Sequence, residues 1–438
     1  MEHKPDNASE GLRKIIRRNR RGEKVGVYAV CSGHRSVIDA AIQHGAGDES
    51  FLLVESTSSQ VNQSGGYTAQ TPSQFAEFVY SSAQHAGLPR ERVLLGGDHL
   101  GPYPWREQPA EVAMHNACEL VRACVLAGYK KIHLDASMAC FDDSKSGLDE
   151  NVIAQRAAIL CRASENAFEE LPPGSSPPLY VIGSEVPTPG GESLPGAAPA
   201  VTSADRIHHT LELFRSAFTD QNLISAWHRV IGLVVQPGVD FSENVIFDYD
   251  RQKATALSSV LPADPAIVYE AHSTDYQKPA ALAQMVEDHF AILKVGPWLT
   301  FAFREAVFAL SAIEREWMAP RKAVRLSQVR EALEAAMLRN PAYWRAYYHG
   351  SEDEIRLARV YSYSDRSRYY WGDGLVQQEL AQLRANLHAS PPPLMLVSQY
   401  LPMEYEAIRS GRIRAHVEEM IQEHIRTVLR VYAAACGV

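Results

Sequence analysis

Cysteine is scarce in this sequence, and no two cysteines are spaced as they are in a metal knuckle. Six occur among 438 residues, and none forms a C-x-x-C pair. Disulfide frameworks and structural zinc sites need closely spaced cysteines, so the pattern is unlike either class. We expect reduced, mostly buried thiols at Cys31, Cys118, Cys124, Cys140, Cys161 and Cys436.

The sequence also lacks a long hydrophobic run and an excess of positive charge. No apolar stretch approaches the roughly 20 residues of a membrane span, and the segment MEHKPDNASE has no apolar core of a secretory signal. The 43 Lys and Arg residues are outnumbered by 52 Asp and Glu residues, which gives a formal net charge of −9. We interpret the basic stretch 13–21 as the solvated face of a helix. The sequence predicts a cytoplasmic protein that binds neither nucleic acid nor membrane.

Short apolar runs recur along the chain, and each is followed by turn residues and a helical pattern. They span 25–31, 51–55, 93–97, 131–135, 179–184, 230–236, 266–270 and 291–295. Buried strands that alternate with helices indicate a parallel sheet covered on both faces. The repeat predicts an α/β fold, a (β/α)₈ TIM barrel. A doubly wound open sheet is the alternative, but no Gly-rich dinucleotide or Walker loop follows the first run.

Strand-like runs stop near residue 320, and helical patterns continue to the C-terminus. We therefore predict a barrel domain over 1–319 and an additional C-terminal helical region, a cap over 320–438 that packs on the barrel. The Gly- and Pro-rich segment 186–199 follows the fifth run, on the side where barrel loops build active sites. We expect it to be a mobile lid or rim.

Polar and ionisable residues stand at the end of every apolar run. The carboxyl ends of barrel strands face one mouth, so their side chains meet there. A single His at a strand end is more often a hydrogen-bonded buried residue than a ligand. Many charged groups at one end of a barrel are costly unless a metal or substrate satisfies them, so the joint pattern predicts a site.

Several of these residues suit a divalent metal. The predicted ligands are His99, His272, Gln236 and Glu185. Imidazole, carboxylate and amide donors fit Zn²⁺, Mn²⁺, Co²⁺ or Ni²⁺ with positions left open for substrate oxygens.

The neighbours of these ligands are candidate acids and bases. Strand alternation would aim Asp98 and His99 apart unless the strand has ended, in which case Asp98 is a base beside the metal. Asp98 as the cap of a turn is the alternative. Asp135 is interpreted as a second acid or base, or as the partner that orients a ligand His, and Glu185 as a further catalytic candidate.

The loops after the seventh and eighth runs are the usual position of an anion site in barrels. The residues there are Ser273, Thr274, Lys294 and Gly296. They predict a phosphorylated substrate, although Lys294 could equally point into the barrel core and pair with a carboxylate.

Long segments resemble one known family. They are VYAVCSGHRSVIDAA, LLVESTSSQVNQSGGYTAQTP, LLGGDHLGPYPW, KIHLDASMAC, VIGSEVPTPGGE, VVQPGVDF, VYEAHSTDYQ, HFAILKVGPWLTFAFREAVFAL and SQYLPMEYEAIRSG. They closely resemble the Z-type subunit family of class II tagatose bisphosphate aldolase over nearly the whole chain. The resemblance implies a (β/α)₈ barrel related to the catalytic class II aldolase subunits. Members are described as non-catalytic companions of a Y-type subunit, and some epimerise tagatose 6-phosphate and fructose 6-phosphate at C4 with a divalent metal.

The resemblance also implies roles for individual residues. Asp98 and His99 in GGDHLG resemble the base and metal ligand of class II aldolases, and His272 in EAHST resembles a later metal ligand. Gln236 in VVQPG stands where catalytic aldolases have a further His, which predicts a modified metal site. An older family label, tagatose 6-phosphate kinase, has no support because neither a Walker loop nor a kinase-type Gly-rich loop is present.

We hypothesise a metal-dependent ketohexose-phosphate 4-epimerase of tagatose and galactitol catabolism with aldolase-like chemistry. Asp98 would take the C4 hydroxyl proton, the C3–C4 bond would break, and the aldehyde would rotate before re-addition. Proton transfer at C4 by Asp98 with Asp135 or Glu185 is equally compatible with the sequence.

Hydroxyl recognition is predicted for four residues, with an ordinary polar loop as the alternative for the last two. They are His34, Glu55, Gln60 and Asn62. The alternative function is a non-catalytic subunit required by a class II tagatose-1,6-bisphosphate aldolase. The predicted partners are therefore a phosphorylated ketohexose, a catalytic aldolase subunit and a second copy of this chain.

Overall fold

The computed structural model describes residues 8–47, 51–144, 147–186, 198–261 and 263–438. The predicted lid over 186–199 lies almost entirely outside the described residues. Among the helices that are described, none is long and apolar enough to cross a membrane.

Eight parallel strands close into a barrel, in the order β1-β10-β9-β6-β5-β4-β3-β2. The barrel strands are β1 Val27–Cys31, β2 Leu52–Thr57, β3 Val93–Leu100, β4 Lys131–Leu134, β5 Leu179–Ile182, β6 Val230–Val235, β9 Val268–Ala271 and β10 Ile292–Val295, while β7 Asp240–Phe241 and β8 Ile246–Phe247 form a small antiparallel hairpin. β1 pairs with both β2 and β10, so the sheet has no free edge. The predicted (β/α)₈ barrel is confirmed, and the open-sheet alternative is excluded.

Helices surround the barrel and continue beyond it. They are α1 Ala8–Arg20, α2 Arg35–Ala46, α3 Pro72–His85, α4 Ala110–Leu126, α5 Glu150–Glu169, α6 Ala204–Asp220, α7 Ile224–Trp227, α8 Thr255–Ser258, α9 Pro279–Glu287, α10 Pro297–Met318, α11 Val329–Arg339, α12 Glu352–Tyr361, α13 Gly374–Ala389, α14 Leu394–Tyr400, α15 Pro402–Arg409 and α16 Val417–Cys436. The sequence explains several helix starts. Thr71 and Gln74 form a capping box at α3, and the Ser203 side chain caps α6.

The interior of the barrel is layered. Its lower layer is apolar, and Leu12 of α1 is buried against it together with Leu53 and Ile292. Side chains two residues apart on a strand point to the same side, so the next interior positions are Glu55 and Lys294. The barrel interior therefore changes from apolar to charged between one inward-facing position of these strands and the next.

The C-terminal helices pack on the barrel through buried polar contacts. Arg304 of α10 donates from Nε to Asp365 Oδ1 at 2.9 Å, and Thr300 donates to Asp365 Oδ2 at 2.7 Å. Asp365 adopts a left-handed backbone with φ of 41°. Further along, the Tyr432 hydroxyl of α16 donates to the carbonyl of Thr274 at 2.7 Å. The C-terminal helical region is thus fixed to the barrel through α10 and through the loop after β9.

We predict that Asp365→Ala destabilises the protein by about 3 kcal/mol or more, because it leaves the buried Arg304 without its carboxylate. Urea unfolding followed by circular dichroism measures the loss. The matched control is Asp353→Ala, which removes an exposed carboxylate 3.8 Å from Arg356 and should change stability by less than about 0.5 kcal/mol. Equal losses in the two variants would contradict the anchoring role of Asp365.

Candidate active site

A cavity of about 290 Å³ lies at the carboxyl ends of the barrel strands. Residues that end or follow β1, β2, β3, β9 and β10 form its floor and one wall. The facing wall comes from the C-terminal helical region and consists of Arg368, Tyr369, Trp371, Gly372 and Gln377. The cavity is therefore shared between the barrel and the cap.

Five buried charged side chains form an ion-pair layer at the floor of this cavity. Lys131 Nζ lies 2.7 Å from Glu55 Oε1 and 2.7 Å from Glu270 Oε2. Lys294 also pairs with Glu55, and its Nζ lies 2.9 Å from Asp98 Oδ1. Burial lowers the pKa of Lys294 to about 8. Of the two placements considered for Lys294, the structure has the one in which it pairs with carboxylates of the barrel interior.

The segment GGDHLG at the end of β3 breaks the strand alternation. The register with β4 shifts between Gly97 and Leu100, and His99 has a left-handed φ of 48°. Asp98 and His99 both line the cavity as a result. Gly101 is required by close approach, because a Cβ there would lie 1.6 Å from the carbonyl oxygen of Asp135.

His99 is held between two carboxylates. Its Nδ1 lies 2.7 Å from Asp135 Oδ2, and its Nε2 lies 3.7 Å from Asp98 Oδ2. Burial lowers the pKa of His99, but the two carboxylates outweigh burial and raise it to about 9. Burial raises the pKa of Asp98, but the charge of His99 and the hydrogen bond from His133 outweigh it, so the pKa lies well below its usual range. Asp98 is therefore ionised at neutral pH.

Four buried side chains at the base of the cavity form a group suited to a metal. They are Asp98, His133, Glu270 and His272, and one potential ligand atom from each lies within 4.8 Å of the others. Nε2 of His133 is buried and has no hydrogen-bond partner among the described residues. Two imidazoles and two carboxylates are donors that Zn²⁺, Mn²⁺, Co²⁺ and Ni²⁺ accept. The residues present therefore fit a divalent cation.

Sequence reasoning did not select His133 or Glu270. Each lies two residues from a position that it did select, Asp135 on one strand and His272 on another. Positions two apart on a strand share a face, so this spacing was the signal that could have found them.

The structure does not bring Glu185 and Gln236 into this group. Glu185 pairs with Arg206 at 2.8 Å and accepts a hydrogen bond from Thr202. Gln236 Oε1 accepts from the backbone N–H of Gly238 at 2.8 Å and so stabilises its own turn. Among the described residues, neither lines the cavity.

The remaining predicted residues on the β1 and β2 side are divided between the cavity and its supports. His34 lines the cavity, its ring lies 4.2 Å from that of Phe303, and burial lowers its pKa to about 4. Gln60 lines the cavity and accepts from the Thr57 N–H at 3.0 Å. Asn62 lies in the polar turn, where Oδ1 accepts from two backbone N–H groups, while Glu55 belongs to the ion-pair layer.

On the other side, Ser273 and Gly296 line the cavity. Thr274 is fully buried and donates to the carbonyl of Lys294 at 2.6 Å. The N–H of Gly296 donates to Asp275 Oδ1 at 3.0 Å, so that group already has a partner.

The chain is similar to several proteins of known structure. A crystal structure described as a probable tagatose 6 phosphate kinase from Sinorhizobium meliloti 1021 is 40% identical, covers 94% of this chain and 100% of its own, and has a TM-score of 0.85. Fructose-bisphosphate aldolase from Campylobacter jejuni is 13% identical over 88% of this chain and 93% of its own, with a TM-score of 0.43. The YdjI aldolase from Escherichia coli K12 is 10% identical over 85% of this chain and 95% of its own, with a TM-score of 0.41.

A family model matches almost the entire sequence, from residue 12 to residue 437. Its description is D-tagatose-1,6-bisphosphate aldolase subunit GatZ/KbaZ-like. The chain therefore belongs to the GatZ/KbaZ-like family of D-tagatose-1,6-bisphosphate aldolase subunits.

Proposed function

We propose that this protein is a metal-dependent ketohexose-phosphate 4-epimerase that interconverts D-tagatose 6-phosphate and D-fructose 6-phosphate. The observation that carries the proposal is the buried group of Asp98, His133, Glu270 and His272 at the base of a substrate-sized cavity. Burying ionisable groups is costly, and apolar residues of similar volume often stabilise a core as well or better. The two imidazoles in this group add metal-binding donors that ion pairing between the strands does not require.

The charge balance of the floor favours a bound cation. The carboxylates of Glu55, Glu270 and Asp98 face the two ammonium groups of Lys131 and Lys294. Because the carboxylates outnumber the ammonium groups, the floor carries excess negative charge.

Three of the four donors are sufficient for a catalytic site. His133, Glu270 and His272 would hold a divalent cation, and Asp98 would remain free to act on the substrate. The cation would supply Lewis acidity toward the carbonyl and hydroxyl oxygens of the ketose.

Asp98 is the proposed base. Its Oδ1 faces His133 Nδ1 at 3.0 Å and Lys294 Nζ at 2.9 Å, which leaves Oδ2 to take the proton from the C4 hydroxyl. The C3–C4 bond then breaks, with its electron pair passing to C3 to give an enediolate and an aldehyde at C4. Lys294 and His99 carry positive charge beside the developing negative charge. After rotation of the aldehyde, C3 attacks its other face and Asp98 returns the proton to the C4 oxygen.

Proton exchange directly at C4 is less well supported. The C4 hydrogen is not adjacent to the C2 carbonyl, so its removal leaves a carbanion without resonance stabilisation. Neither of the two candidate second bases is free to act, because Asp135 is bonded to His99 and Ser137, and Glu185 is paired with Arg206. The retro-aldol route needs only Asp98.

The alternative function is a non-catalytic subunit of a class II tagatose-1,6-bisphosphate aldolase. The description of the matching family model as an aldolase subunit favours it. In that case the partner would be a catalytic aldolase subunit, and the cavity would not turn over substrate by itself.

We predict that the purified protein with Mn²⁺, Ni²⁺ or Zn²⁺ converts tagatose 6-phosphate to fructose 6-phosphate, and that chelation abolishes this. Asp98→Asn should lower turnover by about 10²- to 10⁴-fold, because the amide cannot accept the hydroxyl proton. Carbon NMR of the reaction measures both. The control Asp205→Asn changes an exposed carboxylate of α6 and should retain full turnover. If the protein is inert alone but increases the activity of a catalytic aldolase subunit, the companion function replaces this proposal.

A second prediction separates the two possible ligand sets. His133→Ala should weaken metal binding by more than about a hundredfold, whereas His99→Ala should weaken it by about a hundredfold at most, as expected for a residue outside the first coordination shell. Isothermal titration calorimetry with Zn²⁺ or Mn²⁺ gives the affinities without any assay of activity. His115→Ala, an exposed imidazole on α4, is the control and should bind metal normally. The reverse order would assign the ligand role to His99, as the sequence suggests.

A further inference from the structure

The cap places one arginine in the wall of the cavity. Arg368 lies in the short 3-10 helix Arg366–Tyr369, directly after Asp365. The Asp365 carboxylate is held by Arg304 and Thr300 of α10 and also accepts from the Ser367 hydroxyl at 2.9 Å. The position of this turn is therefore fixed by the barrel itself.

The guanidinium of Arg368 is oriented by neutral groups only. Nη1 donates to the carbonyl oxygens of Ser364 and Asp365, the latter at 3.1 Å, and Nη2 donates to the Tyr369 hydroxyl at 2.8 Å. The guanidinium carbon of Arg368, Cζ, also lies 4.4 Å from the centre of the Tyr369 ring. Among the ion pairs of the described residues, none involves Arg368. Its direction is fixed, but its charge is not neutralised by a contacting carboxylate.

Lys294 and Arg35 also line the cavity, but unlike Arg368 each lies near a carboxylate. Lys294 is paired with Glu55 and Asp98. The side chain of Arg35 is 80% exposed and lies 3.9 Å from Asp39. Within the described part of the cavity wall, Arg368 is thus the partly buried cation that remains available to an anionic ligand.

Another part of the cavity wall, the N-terminus of α10, is unfavourable for an anion. Asp275 is buried, and its Oδ1 accepts from the N–H groups of Gly296 at 3.0 Å and Trp298 at 2.8 Å. These are the N-terminal donors of α10, the position at which barrels commonly bind phosphate. A carboxylate of the protein already uses them, so an incoming phosphate would meet like charge there.

We propose that Arg368 binds the phosphate group of the substrate, so that the cap recognises a phosphate monoester while the barrel floor carries out the chemistry. The hydroxyl of Tyr67 faces both Gln60 and Arg368 and extends the polar surface at this position. A guanidinium gives charge-assisted, often bidentate, hydrogen bonds to phosphate oxygens. The identity of the ester rests on the proposed function, but the anion site does not.

Binding of inorganic phosphate to the full-length protein tests the site without turnover. We expect Arg368→Gln and Arg368→Met to weaken phosphate binding in isothermal titration calorimetry by about ten- to a hundredfold. Arg345→Gln, which removes an exposed cation of the same cap, should bind phosphate like the parent protein. Two substitutions keep the test usable if one variant fails to fold. Unchanged phosphate affinity in a folded Arg368 variant would overturn the proposal.

Kinetics then distinguish this proposal from the proposed function. With tagatose 6-phosphate, the Arg368 variants should raise KM by about ten- to a hundredfold and change kcat less, while any turnover of unphosphorylated tagatose should be unaffected. If the Arg368 variants turn over tagatose 6-phosphate with an unaltered KM, the anion site is rejected and the epimerase function is retained. Phosphate binding that depends on Arg368, in a protein that turns over no ketohexose phosphate, would retain the anion site and reject the epimerase.

Discussion

The buried ion-pair layer inside the barrel is the constraint on which the candidate site depends. Lys131 bridges Glu55 and Glu270, and Lys294 joins Glu55 to Asp98, so that strands β2, β3, β4, β9 and β10 are tied together through their side chains. Removing any one of these charges would leave its neighbours with one buried partner fewer and would unbalance the charge of the layer. The layer also fixes the residues above it, because His133 and His272 stand two positions after Lys131 and Glu270 on the same strands. The same buried residues thus hold the strands together and position the candidate metal ligands. A substitution among them is therefore expected to lower both stability and activity.

The sequence predicts the barrel well because the signal for each strand is local. Eight apolar runs separated by helical patterns were sufficient to derive the closed sheet, and the strands begin and end close to the predicted positions. The site is predicted less completely. Asp98, His99 and His272 reach the cavity, but His99 does so only through a left-handed residue and a register shift that residue types do not announce. Glu185 and Gln236 stand at strand ends in sequence, yet Arg206 and a local turn hold their side chains elsewhere.

What sequence reasoning could not provide is the second wall of the cavity. Tyr369 and Trp371 belong to the C-terminal helical region, but the contact of Tyr369 with Tyr67 and that of Trp371 with Phe303 join segments far apart in the chain. Such contacts depend on how α10 receives the cap through Arg304 and Asp365, which is a tertiary arrangement without a periodic signature. The hairpin of β7 and β8 was not predicted for a local reason. Its strands have two residues each, which is too short for an alternating pattern to be visible in the sequence.

The two-part wall of the cavity has a consequence for how specificity can diverge. The ionisable groups of the floor belong to barrel strands, whereas Arg368, Tyr369 and Gln377 belong to a turn and a helix more than 70 residues beyond the last strand. Changes in that outer segment alter the surface offered to the far end of a ligand and leave the ion-pair layer intact. Relatives could therefore acquire new substrates through changes in the cap alone, and a directed-evolution library restricted to Arg368, Tyr369 and Gln377 would sample ligand preference while leaving the barrel floor unchanged.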